Sequence, residues 1–232
     1  FNLYDQIKNL NLDSYAMSAM AKKIMLLTAM GYNASDLDQY RVDNQPFVLS
    51  TGKEVSNLVA ELYSYDGSWT INHLTYALIA LDMGNYTVPE DANWTREKLL
   101  ETILDHKYGS DNYAIDMVGG IMYAIGPYQD DPVYGERVRA KMQEGLSIIL
   151  GEQTAKSCDP MTDDYMFYCF GALNSESASW VNMGLCSMGI DWHTDPRFTD
   201  GEKSALSQWL QFATKDGFKH ILSETQNNAL AT

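Results

Sequence analysis

The feature of this sequence that most constrains its fold is an alternation between two kinds of helical segment. In the first kind, apolar residues cover almost the whole circumference, which is typical of a helix buried by neighbours on several sides. In the second kind, apolar residues recur every three to four positions, which is typical of an outer helix with one face in water. The two kinds alternate four times along the 232 residues.

The helices of the first kind share a polar start, an apolar body and a glycine stop. Glycine closes a helix readily because it adopts the left-handed backbone conformation without a steric cost. The buried helices are predicted at residues 15–30, 73–83, 114–125 and 176–189, and their stops at Gly31, Gly84, Gly126 and Gly189. Asp13-Ser14 is predicted to cap the first of them.

The amphipathic helices have start signals of their own. Thr51-Gly52-Lys53-Glu54 reads as a capping box, with Thr first and Glu three residues later. Thr95 is a predicted N-cap, and Asp131-Pro132 combines an N-cap with proline at the first helical position. The last amphipathic helix is predicted over residues 200–213. Its inward side chains are predicted to be Ala205, Leu206, Trp209, Leu210 and Ala213.

The alternation predicts an all-α fold in which buried helices form an inner ring and amphipathic helices an outer ring. We therefore expect a single α/α toroid domain over residues 1–232, whose barrel is either closed or incomplete. An open solenoid of helix pairs is the rival, since it has the same local pattern. Residues 165–173 fit either a short helix or a strand-like insertion, and Asn227 reads as the start of a further helix. No alternating pattern favours a parallel α/β sheet.

Charge and cysteine content limit the classes of function. With 31 acidic and 16 basic side chains, the formal net charge is -15. Such a surface repels phosphate backbones and anionic headgroups, so no nucleic acid or membrane partner is expected. No apolar run reaches the roughly 18 residues of a membrane span. Cys158, Cys169 and Cys186 are too few for a disulfide framework. We interpret them as small buried residues. One disulfide with a leftover thiol is the alternative.

Four segments carry a resemblance to a known family. They read INHLTYALIALDMGNY, TREKLLETILDHK, SESASWVNMGLCSMGIDWHTDPRF and DGFKHI. They resemble repeats of bacterial prenyltransferase-like or squalene-cyclase-like proteins, in the expected order from Tyr15 to Thr232. The resemblance implies the toroid of terpenoid cyclases, protein prenyltransferases and the helical domain of transcobalamin. It also implies a fragment of a larger multi-domain protein, exported to the surface of a bacterium.

The resemblance does not carry over catalytic residues. Squalene-type cyclases use an Asp-x-Asp-Asp motif, and neither Asp130-Asp131 nor the acidic residues 159–164 have that spacing. Zinc prenyltransferases need Asp, Cys and His, but Cys169, Cys186 and His193 lie outside that family's local sequence. The clustered basic residues that a diphosphate leaving group needs are also missing. We therefore assign no catalytic residue, no metal site and no cofactor.

Six residues at or near the starts of the inner helices form a candidate ligand site. In a toroid those helix ends share one mouth, and aromatic rings with carboxylates there suit a planar or sugar-like ligand. The alternative is a structural role for all six. The aromatic rings would then fill the barrel axis, the carboxylates would stabilise helix N-termini, and the histidine would be packed in the interior. The six are Trp69, His73, Tyr113, Asp116, Glu176 and Trp180.

From these observations we expect a non-enzymatic exported module for ligand binding or adhesion. Its partners would be a small molecule or glycan and other domains of the same polypeptide. The resemblance to transcobalamin adds a corrinoid-type ligand by analogy of fold alone. The alternative is a carbohydrate-active or terpenoid-processing enzyme that uses the carboxylates at the mouth.

Overall fold

The computed structural model describes residues 2–8, 17–111 and 113–228. The described chain is mostly helical, which confirms the helical class. It divides into two compact units, Phe1–Asp105 and His106–Thr232. The predicted cap at Asp13-Ser14 lies outside the described residues, and so does most of the predicted helix start at the C-terminal tail.

The first unit contains five helices among its described residues and one β-hairpin. Helices α2 and α4 pack side by side and run parallel, because their contacts advance together along both helices. Lys22 Nζ lies 4.3 Å from the centre of the Tyr76 ring, and Thr28 Oγ1 lies 2.7 Å from the Tyr86 hydroxyl. The helices are α1 (Leu3–Lys8), α2 (Met17–Ala29), α3 (Leu58–Tyr63), α4 (Ile71–Met83) and α5 (Arg96–Asp105). The strands are β1 (Phe47–Val48) and β2 (Glu54–Val55).

Helix α4 is buried on all sides, as predicted, whereas α2 is not. In α4 nine of thirteen residues are buried. In α2 the buried residues form one stripe, and Leu26 and Met30 are 41% and 44% exposed. The prediction of burial on several sides is therefore wrong for α2, because among the described elements only α3 and α4 cover it extensively.

The predicted capping box at residues 51–54 is also wrong. Residues 51–53 lie in the turn of the β1–β2 hairpin, where Gly52 has a φ of +84°, and Glu54 belongs to β2. Phe47 pairs with Val55. The fully buried Phe47 side chain holds this pairing. The helix begins later, where Asn57 Oδ1 accepts a hydrogen bond of 2.8 Å from the Ala60 amide.

Helix α5 agrees with its prediction. Thr95 Oγ1 accepts from the Lys98 amide at 3.2 Å, and the stripe from Leu99 to Leu104 is buried at four positions. An ion pair of 2.9 Å between Arg96 Nε and Asp82 holds the start of α5 beside the last turn of α4.

In the second unit, α6 packs closely against α8. A Cβ on Gly119 would lie 2.3 Å from the Trp180 carbonyl oxygen, and one on Gly126 would lie 2.7 Å from the Ser187 Cβ. Both contacts advance in the same direction, so the two helices are parallel. The helices are α6 (Ile115–Ile125), α7 (Gly135–Ile149), α8 (Ser175–Ser187) and α9 (Ala205–Trp209). The strands are β3 (Tyr168–Cys169) and β4 (Ala172–Leu173).

Helix α7 runs antiparallel to α6, since Gly145 lies against Met122 while Met142 lies near Gly126. The predicted N-cap of α7, Asp131, lies one turn before the first residue of the helix. Asp131 Oδ1 accepts from the Val133 and Tyr134 amides, and α7 itself begins at Gly135.

The helix predicted over residues 200–213 is much shorter in the structure. Asp200 Oδ1 accepts from the Glu202 and Lys203 amides, so residues 200–203 form a turn, and Ser204 caps the five-residue α9. A 3-10 turn, Leu210–Phe212, follows. Leu210 and Ala213 are exposed rather than inward, and Leu206 and Trp209 are half-buried. The buried residues of this segment are Ser204, Ala205, Gln208 and Phe212.

Two of the four predicted glycine stops close their helices as expected. Gly31 and Gly189 have φ values of +82° and +72°, and the next amides donate to the carbonyls of Leu27 and Leu185. After α4 the left-handed residue is Asn85, with a φ of +47°. Gly126 keeps helical dihedrals and leads into the 3-10 turn Gly126–Tyr128.

Residues 165–173 adopt the strand-like alternative. Strands β3 and β4 form an antiparallel hairpin in which Tyr168 pairs with Leu173 and Cys169 with Ala172. Strand β3 lies against α6. In the described part of the chain, no helix has the length and apolar character to cross a membrane.

Candidate functional site

The six predicted site residues are distributed over both units. Trp69 and His73 belong to the first unit, and the other four belong to the second. His73 is buried in the first turn of α4 and forms a capping box with Thr70. Its Nδ1 accepts from the Thr70 amide at 3.2 Å, while the His73 amide lies 3.5 Å from Thr70 Oγ1. Burial lowers the pKa of His73. These contacts give His73 a structural role.

Trp69 lies in an aromatic cluster just before α4. Its ring stacks on Trp94 with centroids 4.8 Å apart, and the Tyr63 ring is 6.5 Å away. Lys98 Nζ lies 4.5 Å from the centre of the Trp94 ring. The Trp69 indole nitrogen is buried and has no hydrogen-bond partner among the described residues.

In the second unit, Asp116 and Glu176 lie at the same end of a helix pair. They lie in the first turns of the parallel helices α6 and α8, which places their side chains at the same end of the helix pair. Burial and then the charge on Asp116 raise the pKa of the Cys169 thiol, with a smaller contribution from Glu176. The two carboxylate charges at this end of the helix pair thus act on one thiol.

Asp116 is a half-buried carboxylate at a helix N-terminus. Its Oδ1 accepts from the Met117 amide at 2.9 Å, and burial raises its pKa. The hydrogen bond agrees with a structural role, in which a first-turn acid accepts from a free backbone amide.

Glu176 has a partner that sequence reasoning missed. Both of its carboxylate oxygens lie 2.8 Å from His220 Nδ1, which donates because a carboxylate can only accept. The Ser175 hydroxyl also donates to Glu176, at 3.3 Å. The Ser175 amide donates to the His220 carbonyl at 3.1 Å and aligns the two segments. No local pattern in the sequence indicates that a residue 44 positions away supplies this imidazole.

The tip of the β3–β4 hairpin is the most unusual part of this region. Phe170 and Gly171 have φ values of +50° and +82°, as in a type I′ turn. Phe170 is 77% exposed, and Tyr168 is also exposed. A bulky residue in the left-handed region costs roughly 1–2 kcal/mol. The chain therefore holds an exposed aromatic ring in a strained conformation, next to Cys169. In the sequence, the signal for this hairpin is a two-residue turn that ends in glycine.

Tyr113 and Trp180 lie on the flanks of the same helix ends. The Tyr113 carbonyl accepts from the Cys158 thiol at 3.7 Å, and its amide donates to Asp111 at 3.3 Å. Trp180 is half-buried one turn after Glu176, with its carbonyl against Gly119.

The cysteines are three free thiols. Cys158 is buried, as expected, and burial as the main cause raises its pKa to about 11. Cys169 is half-buried and Cys186 is exposed, so the interpretation as small buried residues is wrong for Cys186. In the described ranges, no three His, Cys, Asp or Glu side chains come close enough to hold a metal ion. Cys169, Cys186 and His193 therefore do not form a zinc-binding set.

The chain matches no family model, no curated protein and no solved structure.

Proposed function

We propose that this chain is a non-enzymatic module for ligand binding or adhesion, exported as part of a larger bacterial surface protein. The proposed fold is an α/α toroid. The arrangement inside each unit supports it, because α2 runs parallel to α4 and α6 runs parallel to α8. Helix α7 returns antiparallel, as an outer helix would.

The observation that carries the binding function is the strained, exposed ring of Phe170. A left-handed phenylalanine with 77% exposure gains little from burial and loses energy through its backbone. Such a residue is explained most simply by contact with something outside the unit. Asp116 and Glu176, in the first turns of α6 and α8 of the same unit, add hydrogen-bonding groups.

The thiols of the second unit and His73 of the first unit favour binding over catalysis. The pKa values of Cys158 and Cys169 are raised, so neither thiol is activated as a nucleophile at neutral pH. His73 is committed to a helix cap. The ligand we propose has a ring that stacks on Phe170 and carries hydroxyl or amide groups for hydrogen bonds. A corrinoid and a sugar both have this chemistry.

The test is Phe170→Asn, measured by thermal shift with corrinoids, prenyl diphosphates and acidic oligosaccharides. Asn-Gly is the preferred type I′ sequence, so the variant should gain roughly 1 kcal/mol of stability. It should also lose the ligand-dependent part of the shift, which grows with ligand concentration above Kd. Val133→Asn, at another exposed apolar residue of the same unit (74% exposed), should leave that shift unchanged.

A Phe170→Asn variant that is stabilised and still binds normally would contradict the proposal. A second candidate, the carbohydrate-active or terpenoid-processing enzyme, is favoured only by the Glu176–His220 pair, in which a carboxylate orients an imidazole. Product release from the same ligands, abolished by Glu176→Gln, would establish that candidate instead.

A further inference from the structure

We propose that a polar groove of about 550 Å³ in the first unit binds a neutral oligosaccharide. The groove lies where the parallel helices α2 and α4 end. Its walls come from the segments that follow the two helices and from Asn57 at the start of α3. This site is distinct from the Phe170 site of the second unit and goes beyond the function proposed above.

The groove is also separate from the predicted site residues of its own unit. Trp69 and His73 lie at the start of α4, whereas Asn85 and Thr87 lie just past its end. A helix of 13 residues is about 20 Å long, so the two sites are on opposite ends of the helix.

The floor of the groove is rigid. The Tyr86 side chain is 7% exposed, and its hydroxyl bridges Thr28 Oγ1 at 2.7 Å and the Ala34 amide at 3.1 Å. It thereby ties the end of α4 to the end of α2. A Cβ on Gly84 would lie 2.1 Å from the Tyr86 ring, so the ring packs directly against the backbone of Gly84. A preformed floor reduces the entropy lost when a ligand binds.

The walls supply amides and hydroxyls, which are the groups that bind sugar hydroxyls. Asn57 Oδ1 is used by the Ala60 amide and Asn33 Oδ1 by Ser35, which leaves their NH2 groups as donors. The exposed side chains of Asn85 and Thr87 can both donate and accept.

An aromatic ring completes the groove. Tyr32 is half-buried, and Tyr40 holds it in an edge-to-face contact with centroids 4.9 Å apart. A fixed, partly exposed ring beside amides is suited to stacking against the apolar face of a sugar.

The charge of the groove selects a neutral ligand. None of its ten lining residues is charged, although the chain has a net charge of -15. An anionic ligand would therefore be repelled and would find no counter-charge. A cation would find no carboxylate. The carbonyls of Leu27 and Leu81 already accept from the Tyr32 and Tyr86 amides, so they are poor metal ligands here.

The test is isothermal titration of the whole chain with cellohexaose, maltohexaose and, as the anionic comparison, oligogalacturonate. Asn85→Gly removes the amide and keeps the left-handed backbone, and Thr87→Ala removes the hydroxyl. The matched control is Asn44→Gly, an exposed left-handed Asn of the same unit outside the groove. Loss of one hydrogen bond should weaken binding roughly 3- to 10-fold in each groove variant.

We expect a neutral hexasaccharide to bind, the two groove variants to weaken it, and Asn44→Gly and Phe170→Asn to leave it unchanged. Three results would overturn the proposal: no binding of either neutral hexasaccharide, equal affinity of Asn85→Gly and Asn44→Gly, or equal or tighter binding of oligogalacturonate. Sugar binding that Phe170→Asn abolishes while the groove variants retain it would assign the ligand to the second unit instead.

Discussion

His73 and Asp116 belong to residue types that often act in catalysis, yet both hydrogen-bond to backbone amides at the start of their own helices. The reason is that the first four amides of a helix have no partner within it, so a nearby acceptor is stabilising. At these two positions, the residue type alone suggests a catalytic role, whereas the hydrogen bonds indicate a structural one. The groups with less evident structural roles are Phe170, which is strained, and Trp69, whose buried nitrogen is unsatisfied.

The capping role of His73 leads to a prediction about pH. Because burial lowers the pKa of His73 in the folded chain, the unfolded chain takes up its proton first as the pH falls through about 6.5. The free energy of unfolding should therefore be retained above this pH and decrease as the pH falls towards the folded-state pKa. In His73→Gln this part of the decrease should be absent.

Urea denaturation at pH 7.5 and 5.5 checks this expectation. The comparison is between the two pH values within each variant, so any loss of the cap itself cancels. Asn72→Gln, at the preceding residue of α4, should keep the pH dependence of the wild type. An unchanged pH dependence in His73→Gln would show that His73 is not responsible.

At the scale of elements, the pairing of α6 with α8 depends on glycine. The closest atoms to a Cβ on Gly119 are backbone atoms of Trp180 and Val181, at 2.3 to 2.6 Å. A Cβ on Gly145 would instead meet the flexible Met122 side chain first, at 2.7 Å. Backbone atoms can move only if the whole helix moves, whereas a methionine can change its rotamer.

We therefore expect Gly119→Ala to lower the free energy of unfolding by about 3 kcal/mol, the upper end of the usual cost of overpacking. Gly145→Ala should cost about 1 kcal/mol or less, since the gain in helix propensity offsets part of the strain. Both substitutions replace a buried mid-helix glycine, so each is the control for the other. Equal costs in denaturant unfolding would contradict the close crossing of α6 and α8.

The elements also differ in how well local signals predict them. The stops at Gly31 and Gly189 and the stripe of α5 follow from local rules and agree with the structure. The box at residues 51–54 follows the same rules and fails, because the buried pair Phe47 and Val55 draws the segment into a hairpin. Burial of a distant side chain outweighs a cap worth about 1 kcal/mol.

At the scale of the whole molecule, the proposed toroid makes a prediction about size. A compact chain of 232 residues has an expected radius of gyration of about 17 Å. Small-angle scattering of the monomer should give a value near this if the helices close into a ring. A clearly larger radius with an elongated distance distribution would favour the open solenoid. A monomeric size-exclusion profile at the same concentration is the control.

The sequence by itself determined the helical class, the bodies of α4 to α8 and the net charge, because these depend on spacing and composition within short windows. Only the tertiary structure decided which face of α2 is covered and that residues 47–55 form a hairpin. The pairing of Glu176 with His220 and the groove between the ends of α2 and α4 belong to the same group. The contacts in each case depend on packing rather than on local preference.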